Sequence, residues 1–150
     1  MTQSFMQMAL EEARVAQTAG EVPVGCVIVR EGTIVARAGN RTLRDRDPTA
    51  HAELVAIREA SAGIGSERLT DCDLYVTLEP CAMCAAAISF ARIRRLYFGA
   101  DDLKGGAVEN GVRFFSSPTC HHRPEFFGGI NAQESATLLR GFFAARRVTS

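Results

Sequence analysis

Residues 74–84 read Leu-Tyr-Val-Thr-Leu-Glu-Pro-Cys-Ala-Met-Cys, and most of the architecture can be inferred outward from this stretch. Its first five residues are apolar or β-branched, which predicts a buried strand. Pro80 is favoured in the first turn of a helix, so a helix of small apolar residues is expected over 81–91. A strand that leads directly into a helix indicates a sheet covered by helices.

The rest of the chain alternates helices and strands in the same way. Asp47 is interpreted as the cap of a helix and Pro48 as its first residue. Apolar periodicity predicts helices over 6–19, 47–62 and 134–147, and strands over 24–29, 34–38 and 95–99. This order predicts a single α/β domain over residues 1–150, with a central sheet between helical layers.

The composition is that of an ordinary globular chain. It has 150 residues, 47% of them hydrophobic, and 17 basic residues balance 17 acidic ones. The longest apolar stretch, 81–88, is far shorter than the ~20 residues of a membrane-spanning helix, so no membrane partner is expected. The first residues lack the pattern of a secretory signal, and five cysteines form an odd set. Both features favour reduced or metal-bound thiols in the cytoplasm.

The zero net charge argues against a protein that binds any polyanion. It does not exclude RNA, because a base in a pocket and a few local arginines need no overall positive charge. We expect the basic residues to be placed unevenly. The arginines expected to weight one side of the fold are Arg92, Arg94, Arg95, Arg146 and Arg147.

Three metal-binding side chains stand at the starts of two predicted helices. Cys81 and Cys84 are three residues apart and share a helix face, and the helix dipole favours thiolates in a first turn. His51 adds an imidazole, and this ligand set suits tetrahedral Zn²⁺. Three protein ligands leave a fourth position for water, as in catalytic zinc sites. Glu53 is rotated by ~200° from His51 on a helix, so it is free to act as general base and then general acid.

Other readings of these residues exist. A Cys-x-x-Cys pair alone is more often a redox dithiol or half of a structural zinc site. Cys120, His121 and His122 could supply a fourth ligand and make the site structural, although no spacing ties them to the other three. The joint occurrence of His-x-Glu with Pro-Cys-x-x-Cys is far more specific, and it is the signature of zinc nucleobase deaminases.

Several segments resemble bacterial tRNA-specific adenosine deaminases, which are zinc-dependent members of the cytidine and deoxycytidylate deaminase superfamily. The resembling segments are 21–25, 39–41, 47–53, 74–84, 91–93 and 138–147. The resemblance implies a cytidine-deaminase-like, three-layer α/β/α fold with a mixed sheet, in a homodimer with one zinc per subunit. It implies a tRNA anticodon stem-loop as the partner, and hydrolytic conversion of its wobble adenosine to inosine.

The resemblance also implies the roles of individual residues. His51, Cys81 and Cys84 would hold zinc, and Glu53 would shuttle protons during attack on C6 of a flipped-out adenine. Asn40 would offer a donor and an acceptor to the base, although Gly39-Asn40 is equally an ordinary turn pair.

Additional substrate contacts are less specific, since each has a plain structural explanation as well. Asp102 would bind a ribose 2′-hydroxyl, Phe143 would stack on a base and Arg146 would meet a phosphate. Val22 and Pro23 would line the base pocket.

Three functions are therefore consistent with the sequence. The first is a tRNA adenosine deaminase, and the second is a deaminase of a free base or nucleoside such as guanine, cytosine or cytidine. The third is a zinc-stabilised binding domain without catalytic activity, which Glu53 argues against because a structural zinc site needs no proton carrier.

Overall fold

The computed structural model describes residues 4–149, with side chains described through Arg146. Within these residues the helices are α1 Phe5–Thr18, α2 Ala52–Ile64, α3 Ala82–Phe90 and α4 Ala132–Thr149. The strands are β1 Gly25–Arg30, β2 Thr33–Gly39, β3 Cys72–Leu78, β4 Arg95–Ala100 and β5 Glu125–Phe127. No helix in the described part of the chain is both long enough and apolar enough to cross a membrane.

The strands form one mixed sheet in the order β2-β1-β3-β4-β5. β1 pairs antiparallel with both β2 and β3, whereas β3, β4 and β5 are parallel to one another. Helices α1 and α4 pack on one face of the sheet, and α2 and α3 cover the other. This arrangement confirms the predicted three-layer α/β/α fold with a mixed sheet.

Helix α1 follows the predicted apolar spacing, and it lies directly on the sheet. Its buried residues are Met6, Ala9, Leu10, Ala13 and Ala16. Its start is fixed by the Ser4 hydroxyl, which accepts a hydrogen bond from the Gln7 amide at 3.1 Å. A Cβ at Gly25 would collide with the backbone of Ala9, so β1 can approach α1 this closely only because residue 25 is glycine.

Helix α2 begins later than its sequence signals indicate. The Asp47 carboxylate accepts hydrogen bonds from the Thr49 amide at 2.8 Å and the Thr49 hydroxyl at 2.6 Å, which closes a local turn. The helix starts at Ala52, with His51 as its N-cap residue. The prediction that Asp47 caps this helix and that Pro48 opens it is therefore wrong, because an Asp side chain can satisfy a short turn as readily as a helix end.

Helix α3 starts within one residue of its prediction, with Cys81 as the N-cap residue. β3 and β4 end side by side, with Leu78 opposite Ala100. The segments that follow these two strands therefore meet at one edge of the sheet. Because ligands of α/β sheets bind outside the carboxyl ends of parallel strands, this edge is where a site is expected.

Candidate metal centre and substrate cleft

The three predicted metal ligands meet at the starts of α2 and α3. The His51 Nδ1 lies 3.6 Å from the Cys81 Sγ and 3.5 Å from the Cys84 Sγ. All three ligand atoms lie within 4.8 Å of one another. Among the described residues they are the only group of three or more such side chains placed to hold an ion.

The spacing of these atoms fits zinc. Tetrahedral geometry with Zn–S of about 2.3 Å and Zn–N of about 2.0–2.1 Å separates a sulfur from a nitrogen ligand by about 3.6 Å. The observed separations of 3.6 and 3.5 Å therefore match one shared ion. His51 and Cys81 also line an open cleft, so a metal ion held by these residues would be accessible from the cleft.

The pKa values of the three ligands favour a thiolate at Cys81. The pKa of Cys81 is held well below its usual 9.0, chiefly by a hydrogen bond from the Cys84 thiol and also by His51, against the effect of burial. The same hydrogen bond and burial raise the pKa of Cys84. The hydrogen bond to Cys81 raises the pKa of His51. A thiolate thus stands beside two further ligands, and the thiolate is the form that binds metal.

Glu53 lies at the same point with its side chain enclosed. It is the second residue of α2 and only 4% exposed, yet it contributes to the cleft wall. Burial raises the pKa of Glu53 to about 7, although His51 and Cys84 act in the opposite direction. A carboxyl group with a pKa near neutrality can both accept and donate a proton, as acid–base catalysis requires.

The alternative that the loop at 120–122 supplies a fourth ligand, which its spacing already disfavoured, does not hold for Cys120 and His122. The Cys120 Sγ lies 3.5 Å from the Ser89 hydroxyl, near the far end of α3 from Cys81 and Cys84. The His122 Nε2 lies 2.7 Å from the Ile93 carbonyl oxygen. These contacts hold the segment that leads into β5 against α3, which is a packing role.

The cleft above the metal ligands is large. Its volume of 1480 Å³ exceeds the about 300–1,000 Å³ of a pocket for a small molecule. Five of the predicted substrate-contact residues line it, namely Val22, Asn40, Asp102, Phe143 and Arg146. Pro23 is buried and is not part of the lining.

Asn40 lies at the cleft, and its side chain also bonds to the start of α2. Its Oδ1 accepts a hydrogen bond of 2.8 Å from the Ala52 amide, the first N–H of α2. The side chain therefore caps the helix that carries Glu53. Its Nδ2 has no partner within the described residues and remains available as a donor. One lone pair of Oδ1 is thus used within the fold, and the predicted contacts of Asn40 with the base stay a prediction.

The Asp102 side chain forms its hydrogen bonds within its own loop. Its Oδ1 accepts hydrogen bonds from the Lys104 amide at 3.1 Å and the Gly105 amide at 2.9 Å. These bonds shape the turn that lines the cleft, so the predicted contact with a ribose hydroxyl is left to the other carboxylate oxygen.

The C-terminal helix supplies one wall of the cleft. Phe143 is 44% exposed there. The Arg146 guanidinium lies 4.6 Å from the centre of the Phe142 ring and donates a 2.9 Å hydrogen bond to the Gly20 carbonyl oxygen. Arg146 thus joins α4 to the segment after α1 as well as lining the cleft. The Arg147 side chain lies outside the described residues.

The expectation of a one-sided arginine cluster is wrong for the arginines around β4. Arg94 forms a paired contact with Asp73, and Arg95 with Glu125. Arg95 begins β4, whereas Ala100 at its other end lines the cleft. At about 3.3 Å per residue the strand separates the two ends by some 16 Å. These arginines lie at the opposite end of the parallel strands from the cleft.

Comparison with known proteins places the chain in a family. Residues 1–100 match the family model described as the cytidine and deoxycytidylate deaminase zinc-binding region. The chain belongs to this family. Its zinc ligands are expected where the structure gathers His51, Cys81 and Cys84, and their geometry agrees with one zinc ion per chain.

Relatives within the deaminase family cover nearly the whole chain. A tRNA-specific adenosine deaminase of Agrobacterium fabrum is 61% identical over 144 residues, which are 96% of this chain and 95% of the relative. A structure from a study of A-to-I editing by tRNA:A34 deaminases has a TM-score of 0.89 at 62% identity, over 90% of this chain and 98% of that one. A guanine deaminase of Bacillus subtilis has a TM-score of 0.65 at 32% identity, over 98% and 95%.

Two buried glutamates of this deaminase were missed by sequence reasoning. The side chain of Glu21 is fully buried and that of Glu79 is 2% exposed. Glu21 accepts hydrogen bonds from the Leu43 and Arg44 amides at 3.2 and 2.9 Å and from the Arg44 Nε at 3.2 Å. It therefore fixes the turn that follows Asn40. No local signal separates such glutamates from exposed ones.

Replacement of Glu21 by glutamine is expected to destabilise the fold in a pH-dependent manner. Burial would raise the pKa of Glu21, but the amides of Arg44 and Leu43 and the Arg44 guanidinium outweigh it and lower the pKa below 4.5. The stabilisation is thus complete above that value and is lost as pH falls through the folded-state pKa. Urea unfolding should show a loss of about 2 kcal/mol at neutral pH that shrinks at acid pH.

The control for this experiment is Glu67→Gln, which removes the same charge from a side chain that is 87% exposed. It should leave the free energy of unfolding unchanged. An equal loss in both variants, or a loss in Glu21→Gln that does not depend on pH, would contradict the role given to Glu21.

Proposed function

We propose that this chain is a single-domain tRNA adenosine deaminase that converts the wobble adenosine of an anticodon stem-loop to inosine. The observation that carries the proposal is the buried Glu53 carboxyl beside the His51, Cys81 and Cys84 cluster, at an open cleft that α4 and residues 101–105 extend well beyond the metal ligands. The tRNA-specific adenosine deaminase of A. fabrum, 61% identical over nearly its full length, supports the same assignment.

The chemistry divides between the metal and one side chain. Zinc held by His51, Cys81 and Cys84 would supply Lewis-acid activation of the attacking water. The Glu53 carboxylate would take a proton from that water as the C6–O bond forms and deliver it to N1 of the adenine. The carboxylate would then take the remaining proton of the C6 hydroxyl group and pass it to the exocyclic nitrogen, which leaves as ammonia as the C6–N bond breaks and the C6 carbonyl forms.

The remaining cleft residues would position the nucleotide. The Asn40 Nδ2 would donate to an acceptor on the base or its ribose, and the exposed Phe143 ring would stack on an unpaired base. Val22 and Asp102 would line the pocket, with Pro23 supporting Val22 from the interior. Arg146 would approach a phosphate. A tRNA substrate implies a cytoplasmic enzyme, and the homodimer expected from the resemblance is part of this proposal.

The decisive assay compares substrates for the purified protein. An anticodon stem-loop with adenosine at the wobble position should yield inosine, while guanine, cytosine and cytidine should release no ammonia. The guanine deaminase of B. subtilis, 32% identical over most of its length, makes guanine the alternative substrate to test first. Ammonia from free guanine without inosine in the RNA would reverse the assignment. Sedimentation of the same sample tests the dimer.

Replacement of Asn40 by aspartate isolates its role toward the substrate. The substitution keeps an acceptor for the Ala52 amide but removes the Nδ2 donor, so the fold should be retained and substrate turnover impaired. We expect kcat/KM for the stem-loop to fall about 10- to 100-fold, as for loss of one buried hydrogen bond to a ligand.

Asn40→Ala serves as the comparison, because it also removes the cap of α2. It should add a loss of about 1 kcal/mol in the free energy of unfolding to the kinetic defect. Wild-type kcat/KM in Asn40→Asp would show that the donor does not contact the substrate.

A further inference from the structure

The Glu79 carboxylate lies between the metal-binding helix and a loop of the cleft. Glu79 follows β3 and stands two residues before Cys81, with only 2% of its surface exposed. Its Oε1 accepts hydrogen bonds from the Asp102 amide at 2.9 Å and the Asn110 Nδ2 at 2.7 Å. Its Oε2 accepts from the amides of Val108, Glu109 and Asn110 at 3.0, 2.9 and 3.0 Å.

All five donors belong to one segment, residues 101–110, which we call the cleft loop. The loop is folded closely around the carboxylate. A Cβ at Gly106 would lie 2.5 Å from the Glu79 Cδ and 2.5 Å from the Asp102 carbonyl oxygen, so only glycine fits there. The Ala107 amide also donates to the Pro80 carbonyl oxygen at 2.9 Å, which ties the loop to the start of α3.

The first half of this loop forms part of the cleft wall. Residues 101–105 all line the cleft, and Leu103 is 80% exposed. Lys104 is also exposed, and it forms no ion pair within the described part of the chain. By contrast, many arginines are paired with carboxylates, among them Arg30, Arg37, Arg41, Arg44, Arg94 and Arg95. The Lys104 ammonium group therefore lines the cleft and is available for an ion pair with a ligand.

We propose that Glu79 is a positioning residue that holds the cleft loop in its RNA-binding shape and thereby sets the affinity for RNA. The inference rests on the proposed function. Glu79 takes no part in the proton transfers, because both of its oxygens are fully engaged by the loop. Through the loop it places Lys104 for contact with a phosphate and Leu103 for apolar contact with the nucleotide next to the target.

Glu79→Gln tests this role with little change in volume. The amide NH2 group replaces one oxygen and faces backbone N–H donors, so part of the loop must detach. We expect KM for the anticodon stem-loop to rise about tenfold or more, with kcat within about twofold of wild type and zinc content unchanged at one per chain. Loss of the Lys104 contact should also lower the slope of log KM against log salt by about one unit or less.

Matched variants separate positioning from general damage. Glu109→Gln removes the same charge from an exposed side chain of the same loop and leaves its amide bonded to Glu79, so KM should not change. Glu79→Asp keeps a carboxylate with shorter reach and should recover part of the affinity. Lys104→Ala should lower the salt slope in the wild type but add little in the Glu79→Gln background, because the contact is already lost.

Asn110→Ala keeps the test decisive if Glu79→Gln does not fold. It removes a single side-chain donor and leaves the backbone bonds in place, and it should raise KM in the same direction by a smaller factor.

The outcomes are distinct. A rise in KM confined to the Glu79 and Asn110 variants, with zinc retained, supports the inference. Equal KM values in Glu79→Gln and Glu109→Gln, a fall in kcat without a rise in KM, or a loss of zinc would overturn it. Absence of inosine with the wild-type protein would contradict the proposed function itself, whereas wild-type turnover with an unaffected Glu79→Gln variant contradicts this inference alone.

Discussion

Replacing Glu53 by alanine should lower kcat for the stem-loop by about 10³-fold or more while the protein keeps its fold and one zinc per chain. In the proposed mechanism this carboxyl group carries the protons. It is 4% exposed, and burial raises its pKa to about 7. It is not itself one of the three ligands, so its removal leaves the metal site intact. Inosine formation and metal content measured on the same sample give both quantities.

The matched control is Glu59→Ala, an exposed glutamate on the same helix. It should have wild-type kcat and zinc content. Activity retained in Glu53→Ala would exclude the proposed proton transfers. A zinc-free Glu53→Ala protein would instead show that this carboxylate is needed to hold the metal.

Replacement of Cys84 by serine should remove both zinc and activity. The Cys84 Sγ lies 3.5 Å from the His51 Nδ1, and a serine hydroxyl stays protonated where a thiolate is needed. A ligand present at about 1,000 times its dissociation constant stabilises a protein by about 4 kcal/mol, so loss of zinc should lower Tm by roughly 8–16 °C. Calorimetry and metal analysis test these values, and a chelator should reproduce the effect in the wild type.

Cys120→Ser is the control for this substitution. The Cys120 thiol is also buried, but it contacts the Ser89 hydroxyl and the His122 carbonyl oxygen, contacts that a hydroxyl can make as well. This variant should keep its zinc, its activity and a Tm close to that of the wild type. Zinc retained in Cys84→Ser, or lost in Cys120→Ser, would show that the ligand set is wrong.

The strands and helices with strong local patterns were predictable from the sequence. β3 and α3 follow from the run of residues 74–84, and α1 from the spacing of its apolar residues. The start of α2 could not be predicted in this way, because its first amide is capped by Asn40, twelve residues earlier in the chain. A local signal at Asp47 competed with this distant contact and was used in a turn instead.

In the site, too, some residues could be predicted from local sequence and others depend on distant contacts. His51, Cys81 and Cys84 could be identified because metal ligands are few in type and their spacing on helices is restrictive. Glu21 and Glu79 could not be identified as buried residues, because a glutamate that anchors a loop has the same local sequence features as a surface glutamate. Likewise Arg94 and Arg95 looked like candidates for RNA contact until their pairing with Asp73 and Glu125 was seen.

The amino-acid sequence by itself predicted the chemistry of this protein: three ligands for zinc, which the structure brings together, and one carboxyl group proposed for proton transfer. The joint occurrence of His-x-Glu and Pro-Cys-x-x-Cys, together with the family resemblance, carried that prediction. Only the tertiary structure decided how the substrate cleft is built, that the Asn40 Oδ1 bonds to the first amide of α2, and which loop Glu79 holds. These features depend on hydrogen bonds between segments far apart in sequence, and their strength comes from burial that no local pattern reports.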